Sequence, residues 1–238
     1  MKIIKFKTIP STNKWALEHI NELDDKTIII ANTQTAGYGR FQRIWESQNP
    51  ENLYLTFVLK PQKTEHIANI SQYLSVTLAQ ILKNTYKVEA KIKWPNDVRV
   101  NRAKIAGILC ESAIKYKKIA LALGIGVNLN MKEEELAKID QKACSLNLLT
   151  NRYIDKTEFA HILCYEFFKN YDEILNNGFP SIKKNYENFS EFLNKTILLS
   201  NGKEKEKLKT IKITEKGTLI VLDKNGAEKE VLSGDIEL

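Results

Sequence analysis

Four stretches of the sequence gather residues able to handle an anionic, ring-bearing ligand. The first reads Thr33-Gln34-Thr35-Ala36-Gly37-Tyr38-Gly39-Arg40-Phe41-Gln42-Arg43-Ile44-Trp45. Gly37 and Gly39 let the backbone approach a ligand closely or take positive φ. Arg40 and Arg43 carry planar guanidinium forks suited to phosphate or carboxylate, and Trp45 offers a flat face for a base or ring. The stretch lacks the Gly-Lys-Ser/Thr ending of a Walker A loop, and taken alone it is also what an ordinary surface loop looks like.

The second stretch is Lys93-Trp94-Pro95-Asn96-Asp97, followed by Lys104-Ile105-Ala106-Gly107-Ile108-Leu109. Pro95 should end a strand, and Asn96-Asp97 fits a tight turn with polar side chains aimed at a site. A hairpin would return Lys104 to that turn, although a lysine opening a strand is often only a snorkelling surface residue. Third, Gly124 and Gly126 lie within the apolar run ending Val127-Asn128-Leu129-Asn130; they imply close approach by a ligand or another backbone, or a bulge. Fourth, Ser11-Thr12-Asn13 could simply cap a helix.

The elements that must position these residues follow from periodicity. A helix is expected from Ser11 to Leu23 and a β-branched strand over Thr27–Ala31, with a loop at 32–48 and a strand over Asn52–Leu59. Ile67, Ile70, Leu74, Leu78, Ile81 and Leu82 mark an amphipathic helix over Thr64–Tyr86. Lys91 and Lys93 alternate with Ala90, Ile92 and Trp94 as in a half-buried strand. Runs at Ile105–Cys110 and Ile119–Asn130, with a Tyr-Lys-Lys turn between them, predict an antiparallel meander. Helical patterns resume at 132–139 and 157–176. Beyond about residue 190 come short β-rich pieces cut by Asn201-Gly202, Lys216-Gly217, Asn225-Gly226 and Ser233-Gly234. These hairpin signals predict a small β-barrel or sandwich, too small to be stable unless docked on the larger part.

At 238 residues, 43% of them apolar, the chain can bury a sizeable core. The net charge of +7 is spread over scattered lysines, without an arginine-rich tract or interleaved aromatic ladder, so most of it reads as surface solvation. Cys110, Cys144 and Cys164 show neither CxxC spacing nor an even disulfide set, which fits core thiols in a reducing cytosol. His19, His66 and His161 lack metal-ligand spacing, and no metal site is expected from them. No apolar run reaches a signal peptide or membrane span, so a cytoplasmic protein is expected, with no membrane partner.

The motifs matter most in combination. Ser-Thr-Asn, Gln-x-Ala-Gly-x-Gly-Arg, Asn-Leu-Tyr-Leu-Thr, Lys-Trp-Pro-Asn-Asp, Lys-x-Ala-Gly-Ile-Leu and Gly-Ile-Gly-Val-Asn occur in that order. The sequence thereby resembles the biotin–protein ligases, part of the biotin/lipoate ligase superfamily, strongly over residues 4–130, weakly over 131–190 and in kind thereafter. The resemblance implies an α+β fold: a mixed, largely antiparallel sheet flanked by helices over 1–190, and a small SH3-like β-barrel over 191–238. It implies an ATP-dependent, AMP-forming ligase that makes biotinyl-5′-AMP and passes biotin to a lysine of a biotin carboxyl carrier protein of a biotin-dependent carboxylase. ATP and Mg²⁺ are the implied cofactors, and a homodimer is left open. Because the first motif begins at residue 11, no helix-turn-helix domain is expected before it, and a monofunctional ligase that binds no DNA is expected.

By motif position, the resemblance puts Ser11, Thr12, Asn13, Gln34, Gly37, Gly39, Arg40, Lys104 and Gly107 at biotin. It puts Arg40, Arg43, Trp45, Lys104 and Asn128 at ATP or the adenylate, and makes Lys104, Arg40 and Asp97 the catalytic set. Two departures stand out: where the family loop usually reads Gly-Arg-Gly-Arg-x-Gly-Arg, this chain has Tyr38 for the first arginine and Gln42 for the third glycine. A lipoate- or octanoate-handling relative is the alternative on the same fold. A nucleic-acid-binding module is the alternative of another class; it would want stacking aromatics in the β-rich tail, and beyond residue 193 there is no Phe, Tyr or Trp.

Overall fold

The computed structural model describes residues 2–115, 118–200 and 205–237. The chain order is β1 (Ile3–Ile9), α1 (Thr12–Glu18), β2 (Thr27–Gln34), β3 (Leu53–Leu59), α2 (Ile70–Asn84), β4 (Lys91–Lys93), β5 (Asp97–Val100), β6 (Ala103–Lys115) and β7 (Lys118–Val127). Then follow α3 (Glu133–Leu136), α4 (Leu146–Thr150), α5 (Lys156–Lys169), α6 (Tyr171–Asn177) and α7 (Lys183–Phe189). The last five strands are β8 (Thr196–Ser200), β9 (Lys205–Ile213), β10 (Leu219–Leu222), β11 (Glu228–Val231) and β12 (Asp235–Glu237).

The first seven strands form one sheet in the order β1-β2-β3-β7-β6-β5-β4. Only β1–β2 is parallel, so the sheet is mixed and largely antiparallel. Strand β3 is buried along its whole length, as a central strand covered on both faces must be. On one face lie α2 and α5, where Leu74, Leu78, Ile81 and Leu82 meet Phe57, Phe159 and Phe167 in the main core. On the other lies α1, whose Ala16 packs with Ile29, Val58 and Ala122.

The second sheet is antiparallel, five-stranded and ordered β11-β10-β9-β8-β12, in keeping with a small SH3-like module. Its apolar face does not stand alone: Ile197, Leu208, Leu219, Val221 and Ile236 belong to the same core cluster as the first sheet. Polar contacts fasten it as well. The Gly217 carbonyl accepts from Trp94 Nε1 at 3.2 Å and Gln72 Nε2 at 2.8 Å, and Asn69 Nδ2 donates to the Lys216 carbonyl at 2.9 Å. Gly217 has φ +80°, and a Cβ there would lie 2.5 Å from Gln72 Oε1, so the turn needs glycine for conformation and for space.

Several boundaries differ from the sequence pattern. The first helix stops at Glu18, with turns continuing to Leu23. The long amphipathic helix starts at Ile70, after a 3₁₀ turn at Ile67–Asn69. The pattern at 157–176 is two helices that meet at Asn170, and 132–139 yields only the single turn of α3. Lys93 is buried, unlike exposed Lys91, so β4 is not a half-buried strand with lysines outward. Asp97 opens β5, leaving the turn to residues 94–96. Tyr116 and Lys117 of the Tyr-Lys-Lys turn, and Asn201-Gly202, lie outside the described residues. No helix among the described residues is long and apolar enough to cross a membrane.

Candidate active site

One face of the β6–β7 pair, the start of α1 and the loop after β2 line a cavity that is open to solvent on one side. Ser11, Thr12, Asn13, Gln34, Gly39, Arg40, Arg43, Trp45, Asp97, Lys104 and Gly107 all line it. Four stretches far apart in sequence therefore share one cavity. Gly37 lies buried beneath the loop, where a Cβ would come within 2.5 Å of Ser47 Oγ. Asn128 is not among the lining residues; its buried amide donates to the Cys144 carbonyl at 3.1 Å. Asn128 thus braces the segment that follows β7, next to the site.

The floor is set by glycine. Gly107 and Gly126 are register partners on β6 and β7. Without side chains they leave a flat patch for the Trp45 indole, and a Cβ on Gly126 would fall 2.2 Å from Trp45 Nε1. That indole nitrogen is buried without an acceptor, while Lys104 Nζ lies 5.2 Å from the ring centroid. Gly124 does the same for Asn13, whose Oδ1 would be 2.3 Å from an added Cβ. The close approach expected at these glycines is made by side chains from α1 and the loop.

At the polar end of the floor, Ser11 caps α1 by accepting from Lys14 N–H at 3.3 Å. The buried Gln34 Oε1 accepts from Thr12 N–H at 2.8 Å and from Thr12 Oγ1 at 3.1 Å, and Gln34 Nε2 donates to Ser47 Oγ at 3.0 Å. The amide of Gln34 is thereby fixed in orientation, since its oxygen must face two donors.

Charges sit at the other end. The β5–β6 turn, Asn101-Arg102, has φ +50° and +65°, the pattern of a tight hairpin turn. It returns Lys104 so that its Nζ lies 2.9 Å from Asp97 Oδ1, while Lys93 Nζ approaches Asp97 Oδ2 at 3.9 Å. Burial pushes the Lys93 amine below the ordinary lysine range, and Asp97 partly opposes this. The loop supplies the second cluster. Gly39 N–H donates to the Arg43 carbonyl at 2.8 Å and Trp45 N–H to Gly37 at 3.0 Å, so the loop is a small hairpin with Arg40 to Gln42 at its tip. Arg40 reaches the Gly234 carbonyl at 2.9 Å and Asp235 Oδ1 at 3.1 Å, and Arg43 pairs with Asp235 Oδ2. Together the two clusters hold four cations against two carboxylates.

Sequence reasoning missed Asp235, Glu111 and Ser47 at the site. Asp235 has no motif around it beyond the Ser-Gly turn, and only the docking of β12 brings it to the loop. Glu111 could have been found: on β6 it lies four residues beyond Gly107, on the same face of an alternating strand. Among the described residues no group of three His, Cys, Asp or Glu side chains could hold a metal unaided.

The chain belongs to the Biotin/lipoate A/B protein ligase family, whose sequence profile matches residues 5–130. Among relatives it is 30% identical over 239 residues to the bifunctional ligase/repressor BirA of Bacillus spizizenii, covering 97% of this chain and 72% of that protein. It is also 30% identical over 199 residues to the biotin–[acetyl-CoA-carboxylase] ligase of Paracoccus denitrificans, covering 81% and 82%. Its fold is similar to that of the Aquifex aeolicus biotin protein ligase in complex with biotin and ATP, with a TM-score of 0.84, 28% identity and coverage of 99% and 97%.

Proposed function

We propose that the chain joins biotin to ATP, forming biotinyl-5′-AMP and pyrophosphate, and then transfers biotin to a lysine of a biotin carboxyl carrier protein. The observation that carries this reading is one cavity with a polar, amide-fixed end at Thr12 and Gln34 and a cationic end lined by Lys104, Arg40 and Arg43, with Lys93 behind Asp97. A ureido ring offers two N–H donors and one carbonyl acceptor, which suits the polar end. The carboxylate of biotin then faces the cations.

The first step must bring two anions together. A carboxylate oxygen of biotin attacks the α-phosphorus of ATP, and the bond to the pyrophosphate oxygen breaks. Lys104 sits where its charge can act on the carboxylate and the α-phosphate; Arg40 and Arg43 take the remaining phosphate charge, which requires them to exchange Asp235 for the nucleotide. Placed donors of this kind act mainly on the transition state. Mg²⁺ would arrive with the phosphates, since it needs only one or two protein carboxylates; Asp97 and Asp235 are the acidic side chains lining the cavity, and the ion would supply further charge neutralisation.

In the second step the carrier's lysine nitrogen attacks the activated carbonyl carbon, the C–O bond to AMP breaks, and the amine loses a proton. Asp97, held between Lys93 and Lys104, is the carboxylate placed to orient that amine and receive the proton. Trp45 is assigned to the adenine side and the glycine-bearing loop to covering the acyl-adenylate against water. The test is pyrophosphate release with biotin, lipoate or octanoate as the sole acid, followed by mass analysis of an added carrier domain. Release with biotin alone, and biotin on one carrier lysine, is expected; release only with lipoate or octanoate would overturn the reading.

A further inference from the structure

Tyr38 replaces a family arginine, and its position is not idle. Its hydroxyl donates to Glu111, lying 3.2 Å from Oε1 and 3.0 Å from Oε2. Glu111 also accepts from Asn13 Nδ2 at 3.0 Å. The same amide nitrogen lies 3.2 Å from the Leu109 carbonyl and 3.3 Å from that of Ala122. A carboxylate and two carbonyls can only accept, so this amide has its nitrogen toward Glu111 and its oxygen the other way. There Asn13 Oδ1 accepts from Thr56 Oγ1 at 2.7 Å and rests on Gly124 at the cavity wall. An amide oxygen has two lone pairs, and Thr56 uses one.

We propose that Tyr38 and Glu111 are positioning residues that tie the stem of the phosphate loop to Asn13, fixing the Asn13 carbonyl as an acceptor for a ring N–H of biotin. This rests on the biotin reading above and adds how the loop and the ring end of the site are coupled. Tyr38 lies in the loop stem, bridged to Ile44, so the loop carrying Arg40 and Arg43 is anchored through its hydroxyl. Burial and the neighbouring Glu111 charge hold the phenol up to about 12, so it stays a donor throughout the neutral range. An arginine at this position would meet the same carboxylate with an ion pair, which explains how tyrosine can stand in its place.

The test is steady-state pyrophosphate release by the full chain, with biotin varied at saturating ATP and a carrier domain in excess as acceptor. Tyr38→Phe should raise KM for biotin about tenfold with kcat changed less than about twofold, as expected for losing one hydrogen bond to a charged acceptor. Tyr38→Arg should restore KM in the native background but not alongside Glu111→Gln. A merely structural role would instead lower thermal stability and kcat together. Biotin-dependent release by the native chain with an unchanged KM in Tyr38→Phe would overturn the coupling alone. So would rescue by Tyr38→Arg that ignores residue 111. No biotin-dependent release by the native chain would overturn the reading beneath it as well.

Discussion

At the level of single residues, the cavity is organised by two carboxylates, each shared by two cations. Asp97 holds Lys104 at 2.9 Å, so Lys104 is ordered before substrate arrives. Lys104→Ala should therefore cut pyrophosphate release by about 10²–10³-fold, the scale seen when a placed charge-stabilising donor is lost; a near-native rate would remove Lys104 from the chemistry. Arg40→Gly should release biotinyl-AMP and label bystander lysines, read by mass spectrometry of an inert added protein. Lys93 yields a pH prediction. Its amine is depressed in the fold, so the unfolded chain binds more protons between the lowered value and 10.5, and stability rises with pH across that window. Relative to Lys93→Met, the native chain should gain urea resistance as pH is raised toward 10.5; parallel curves would show that burial of Lys93 has no such cost.

At the level of elements, the loop hairpin and the glycine floor decide which substitutions the site tolerates. Gln42 has φ +56°, a left-handed conformation that costs a side-chain-bearing residue about 1–2 kcal/mol, where the family loop has glycine. Gln42→Gly removes that cost but adds about 0.5–1 kcal/mol of chain entropy to be lost on folding. The first term is larger, so the variant should be slightly more stable in urea unfolding. The strands and helices around this loop were readable in kind because their apolar spacing is regular: β3, α2, β6 and β7 all overlap the stretches where alternation or helical periodicity put them, although α2 begins only at Ile70 and β6 runs on to Lys115. The loop's cavity-lining residues Gly39, Arg40, Arg43 and Trp45 were readable because they fall within one short stretch of sequence. Burial of Lys93 was not readable, because a lysine between apolar neighbours has the same pattern on a surface strand as in a core ion pair. Nor was the bond from Asn128, one residue past the strand, to the backbone of Cys144, since nothing in the sequence links those two positions.

At the level of the whole molecule, the two sheets share one apolar core, and three side chains of the first part, Asn69, Gln72 and Trp94, grip a single turn of the second. Gly217→Ala, with its Cβ pressed against Gln72 at a positive φ, should cost about 1–3 kcal/mol in urea unfolding and weaken nucleotide binding too, because β12 leaves with the turn. An effect on stability with native ATP affinity would show that the turn and Asp235 act separately. Asp235 itself was beyond sequence reasoning, being brought to the loop from nearly 200 residues away in the chain. Its presence bears on how the protein behaves in different salts. Two bare arginines would gather mobile anions from solution and shed them when phosphate arrived, making nucleotide affinity fall steeply with ionic strength. Here the displaced anion is covalently part of the chain, so the bulk solution is exchanged less, and the affinity for ATP should be comparatively indifferent to added chloride.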